Sequence, residues 1–116
     1  MHEASIVQSL IDQVEAEIAR AGEDGQVVRL DLAIGRLSGV HVDAIRFAFE
    51  FLSPKTIVEG AELRIREPDA YVACKACGVR EPIGELTMQC PECGDGDVRI
   101  EGGQELLLES IELEQP

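Results

Sequence analysis

The chain has 116 residues, enough for one domain, or one domain and a small module, with a modest core. Hydrophobic residues make up 45% and charged residues 28%, an ordinary globular balance, and no apolar run approaches the ~18 residues that span a bilayer. A net charge of −13 repels phosphate backbones and anionic membranes, and 3% aromatics without tryptophan leave few stacking platforms, so neither nucleic acid nor membrane is expected as a partner.

Residues 2–21 read as an amphipathic helix, because Ile6, Val7, Leu10, Ile11, Val14 and Ile18 fall on one stripe. Gly22 and the polar Glu23-Asp24-Gly25 end it. This start has no basic stretch followed by an unbroken apolar run, so no signal peptide is expected and the default location is cytoplasmic. Residues 27–37 read as a strand, with Val28, Leu30, Leu32 and Ile34 alternating against Arg29, Asp31 and Ala33. After the turn Ser38-Gly39, residues 42–52 read as a second helix burying Ile45, Ala48, Phe49 and Leu52, with Pro54 beyond its end. Residues 61–67 read as a strand closed by Pro68. The order strand, helix, strand predicts a parallel pair with a right-handed crossover. A last strand covers residues 105–113, where the apolar pattern changes phase between Leu108 and Ile111, as a bulge would cause.

Between the second and last strands lies Cys74-Lys75-Ala76-Cys77-Gly78, then Cys90-Pro91-Glu92-Cys93-Gly94. Two residues between cysteines let both sulfurs of a tight turn face one cation, and the following glycine accepts the positive φ that turn needs. Four protein ligands leave no open position, so the expected ion is structural zinc rather than a catalytic one. Disulfides suit an oxidising compartment instead, and iron remains open on ligand type alone. The segment holds little apolar material, so metal binding is expected to fold it. Its acidic surroundings lack the basic footprint of a nucleic-acid-binding ribbon.

The chain opens Met1-His2-Glu3. The free amine of Met1, the amide nitrogens of His2 and Glu3 and the His2 imidazole can wrap a cation in a near-planar set, and the Glu3 carboxylate can assist. Such nitrogens suit Ni(II) or Cu(II) better than zinc. The bland alternative is an exposed histidine at a frayed terminus.

Taken together these features resemble the HypA/HybF family of nickel-insertion accessory proteins for [NiFe]-hydrogenase. The matching stretches are Met1-His2-Glu3 opening a helix, Ile34-Gly35 with Ser38, Phe47-Ala48-Phe49-Glu50, Glu59-Gly60-Ala61 with Leu63, the two cysteine pairs, and Gly103 with Glu105-Leu106 through Ser110-Ile111-Glu112. The likeness covers essentially the full length. It implies a nickel metallochaperone carrying Ni(II) as transient cargo at His2, with structural Zn(II) at Cys74, Cys77, Cys90 and Cys93. It also implies a HypB-type GTPase and the hydrogenase large subunit as partners and, for some relatives, urease maturation. One departure is His41, in the turn before the second helix, where relatives commonly carry an acidic residue. It either approaches the N-terminus or is a solvent-exposed turn residue.

The fold class expected is α+β: a small three-stranded mixed sheet with two helices, plus an inserted zinc-ribbon module. The domains are residues 1–69 with 104–116 for nickel, and 70–103 for zinc. No nucleophile–base pair, phosphate loop or open metal position points to an enzyme. The alternative function is a zinc-ribbon interaction adaptor with no nickel role.

Overall fold

A computed structural model describes residues 2–114, apart from the side chain of His2. The amine of Met1 and the imidazole of His2, both expected to bind nickel, therefore lie outside the described part. Eight elements follow one another: α1 (His2–Ala21), β1 (Gln26–Ile34), α2 (Val42–Leu52), β2 (Glu62–Arg66), β3 (Ala70–Cys74), β4 (Arg80–Ile83), β5 (Val98–Glu101) and β6 (Leu106–Glu114). None of the described helices is long and apolar enough to cross a membrane.

The strands form two three-stranded sheets, one in the order β2-β1-β6 and one in the order β4-β3-β5. The expected sheet with two helices and an inserted cysteine module is thus present. The module's own strands escape a pattern reading, because β4 and β5 are short and only half-buried on alternate or neighbouring positions. They are held by antiparallel pairing to β3 rather than by an apolar face.

The chain divides into two compact units. One comprises Met1–Leu32, Val40–Ile65 and Leu107–Pro116, and the other comprises Ala33–Gly39 and Arg66–Leu106. Within the first, α1 packs on α2. Val7, Leu10, Ile11, Val14 and Ile18 are buried on α1, with Ile45, Ala48 and Phe49 on α2 and Val27, Leu30 and Leu32 on β1. This is the helical stripe expected on each helix, except that Ile6 and Leu52 are only half-buried. On β1 the buried set begins at Val27 rather than Val28. Arg46 of α2 donates from Nη1 to the Leu63 carbonyl of β2 at 2.8 Å, which ties that helix to a strand.

The second unit is pinned around the turn after β1. Gly35 N–H donates to the Glu105 carbonyl at 2.8 Å, Arg36 N–H to that of Pro68 at 3.0 Å and Leu37 N–H to that of Gly103 at 2.6 Å. Arg36 also pairs with Asp69 at 2.7 Å. Val72 and Ala70 of β3 are fully buried here, and Cys74 nearly so. β3 therefore delivers the first cysteine from the most buried strand of its sheet.

Candidate metal centre

Each cysteine pair is built by the same backbone turn. Cys74 N–H donates to the Val79 carbonyl at 2.9 Å, and Gly78 N–H returns to the Cys74 carbonyl at 2.9 Å. In the second turn Cys90 N–H donates to Asp95 at 2.8 Å, and Gly94 N–H returns to Cys90 at 2.9 Å. The two turns close only because Gly78 and Gly94 sit at φ 80 and φ 78, where a side chain would be strained. The glycine following each pair in the sequence meets this requirement.

The turns bring the four sulfurs together. Cys74 Sγ lies 3.7 Å from Cys93 Sγ, and Cys77 Sγ lies 3.7 Å from Cys90 Sγ. All four ligand atoms fall within 4.8 Å of one another. A disulfide needs about 2.05 Å, so these are free thiols. A tetrahedron with metal–sulfur bonds of about 2.3 Å places its sulfurs roughly 3.8 Å apart, so the spacing fits a single tetrahedral ion such as zinc. Among the described residues this is the one group of three or more metal-ligating side chains close enough to share an ion.

The electrostatics of the cluster also call for a cation. At Cys90 the backbone N–H of Cys93, joined by that of Glu92, points at the sulfur and lowers the thiol to about 7. At Cys93 the Asp95 backbone N–H pulls the thiol down. Desolvation and hydrogen bonds with the other cysteines outweigh it and push the value up to about 12. At Cys77 the Val79 backbone N–H acts downward, and desolvation with bonds to Cys90 and Cys74 again wins, raising the thiol. One thiolate is therefore favoured by the protein alone, and further ionisation of the cluster is resisted until a positive charge arrives.

The sheet behind the site is stiffened by polar contacts. The Arg80 guanidinium sits 4.0 Å over the Tyr71 ring and bonds Glu101 at 2.7 Å, and Arg99 reaches the same carboxylate at 2.8 Å. These two arginines, Arg80 first, hold Glu101 below its usual range. Glu101 thereby offsets one of these two positive charges, and Glu81, Glu85, Glu92, Asp95 and Asp97 leave the module acidic.

At the other end of the sequence, His2 begins α1. The Glu3 carboxylate accepts the backbone N–H of His41 at 3.2 Å, bringing the turn before α2 to the start of α1. No spacing rule foretells this contact, which joins residues 38 apart through one side chain.

A family model described as hydrogenase/urease nickel incorporation, metallochaperone, HypA matches residues 1–113. Hydrogenase maturation factor HypA of Chlorobaculum tepidum is 40% identical over 114 residues, covering 98% of this chain and 100% of that protein. The factor of the same name from Chlorobaculum parvum is 43% identical over the same share of each chain. Among solved structures, the Ni metallochaperone HypA from Helicobacter pylori is similar with a TM-score of 0.67 and 27% identity, covering 98% of each chain.

Proposed function

The chain belongs to the HypA family of hydrogenase/urease nickel-incorporation metallochaperones, maturation factors rather than enzymes, and from that premise we propose where its metals sit and how it works. On this reading Ni(II) is cargo held at the N-terminus by the Met1 amine, the His2 imidazole and Glu3 through its backbone amide or carboxylate. Zn(II) is structural, held by Cys74, Cys77, Cys90 and Cys93. A HypB-type GTPase assists transfer to the [NiFe]-hydrogenase large subunit in the cytoplasm, and urease maturation proteins are a second outlet. Residues 1–69 with 104–116 carry the nickel function, and residues 70–103 the zinc.

One observation carries the division of labour: all four cysteines converge on one closed tetrahedral set. Cargo must then bind elsewhere, and imidazole donors are scarce in a chain with two histidines. The terminal amine, two amides and an imidazole supply the nitrogen set that Ni(II) prefers. An exposed terminal site also releases its ion more readily than a closed cage. Copper outranks nickel at such donors, so selectivity falls to partners and metal supply.

Metal analysis of untagged protein after equilibration with Ni(II) tests the reading. About one nickel per chain is expected beside one zinc, and His2→Ala should lose the nickel while keeping zinc and helical content. Adding a residue before Met1 should also weaken nickel binding, because it displaces the amine. Wild-type nickel content in His2→Ala would leave the interaction adaptor as the better account.

A further inference from the structure

Helix α2 is apolar over more of its circumference than its own fold uses. Ile45, Ala48 and Phe49 face inward and are buried. On the opposite side Phe47 and Phe51 are 72% and 76% exposed. Four residues apart, they are neighbours on the helix surface. Two phenylalanines so exposed present roughly 300 Å² of joined apolar surface, the scale of the largest patch on a typical monomer. A single exposed apolar residue is ordinary, but a helix apolar on two opposite faces is expected to be covered on both.

The charges around the pair indicate what covers it. Asp43 lies one turn before Phe47, Glu50 lies one residue before Phe51, and both acids are exposed. Helical spacing sets them beside the two rings on the outward face. Arg46, the one basic residue of α2, turns instead to β2, where its Nη1 donates to the Leu63 carbonyl at 2.8 Å. The whole chain carries a net charge of −13. A second copy seated here would set Asp43 and Glu50 against the same two residues, between chains that repel each other. An anionic bilayer is repelled for the same reason.

We propose that this face of α2 docks a basic amphipathic helix of another protein. The partner's apolar residues cover Phe47 and Phe51, and its lysines or arginines meet Asp43 and Glu50. The aromatic pair supplies the anchors that helix recognition needs, and the bordering acids favour a cationic partner and speed its encounter. The proposal does not depend on where nickel binds.

The experiment uses the full, untagged, zinc-loaded chain. The probe is a synthetic helical peptide of leucine and lysine, about 18 residues or five turns long, with its leucines on one stripe. One comparison peptide has the same composition with the leucines scattered around the helix. Another keeps the stripe and replaces lysine by glutamate. Binding is followed by calorimetry and by amide NMR shifts. The striped basic peptide should saturate at one per chain and shift the amides of residues 43–51, with both comparison peptides at least about tenfold weaker. The double variant Phe47→Ser with Phe51→Ser should lose about tenfold in affinity while zinc content and circular dichroism stay unchanged. Asp43→Asn with Glu50→Gln should weaken binding several-fold and flatten its salt dependence. Wild-type affinity in the phenylalanine double variant, or equal binding of either comparison peptide, overturns the proposal. A dimer in sedimentation that the phenylalanine double variant dissolves makes a second copy the occupant and overturns it as well.

Discussion

At Gly103 the chain has no room for a side chain. The residue sits at φ +82, and a Cβ there would lie 2.4 Å from the Ala70 Cβ and 2.8 Å from its Cα. Its partner across the turn, Gly35, is equally confined, because a Cβ would meet the Gly103 carbonyl at 2.2 Å. These glycines let the turn after β1 and the segment before β6 approach closely enough for the Leu37 N–H to reach the Gly103 carbonyl. Gly22 offers a control, since at φ +67 it has nothing within 4 Å. Gly22→Ala should cost about 1–2 kcal/mol, from the left-handed backbone alone. Gly103→Ala adds a clash with backbone and should cost about 3–5 kcal/mol. Urea unfolding of the zinc-loaded variants measures both, and equal losses would refute the close-packing argument. In the sequence Gly102-Gly103 is visible as a break between strands. Its contact with Gly35 is not, because a close backbone approach leaves no periodic signal.

Helix α2 shows how far periodicity reaches. Ile45, Ala48 and Phe49 lie on the inward face at helical spacing and are buried. Phe47 and Phe51, four apart, are 72% and 76% exposed, against 5% for Phe49. Three phenylalanines on one helix therefore have opposite roles, and the buried one is named by its place on the Ile45 stripe. Phe49→Ala should cost about 3–5 kcal/mol by opening a cavity, whereas Phe47→Ser and Phe51→Ser should stay within about 0.5 kcal/mol. Thermal unfolding of the three variants separates them, and a large loss at Phe47 or Phe51 would place those rings in contacts made within the folded chain. The same periodic logic locates α1, β1, β2 and β6, whose half-buried Leu108 and Ile111 keep the phase change seen in the sequence. It is blind to β4 and β5, where pairing and metal, not an apolar face, select the strand. The cysteine ligands were legible because a tetrahedral site demands two tight turns, and each turn demands its glycine. The Glu3–His41 contact was not, because a single side chain bonding a distant backbone imposes no pattern on the residues between.

For the whole molecule, the buried apolar residues are shared unequally. The first compact unit holds both helical stripes, most of β1, Val58 and Leu63. The second has Ala33, Ile34, Ala70 and Val72 as its buried apolar residues beside Cys74 and Cys90. Hydrophobic burial scales with area, so the second unit depends more on its metal than the first does. Structural zinc in small sites supplies on the order of 10 kcal/mol near neutral pH, more than most domains have to lose. Removing zinc from the full chain with a strong chelator under reducing conditions should therefore act unequally. Backbone amides of β3, β4 and β5 should lose their protection from hydrogen exchange, while those of α1 and β1 remain slow. Helical circular dichroism should persist through the same treatment, and zinc added back should restore the protected set. Acid should mimic the chelator, because protons compete with the ion for the thiolates. Protection that survives in β3 and β5 after complete metal removal would mean that the Tyr71, Arg80 and Glu101 contacts hold this sheet without an ion.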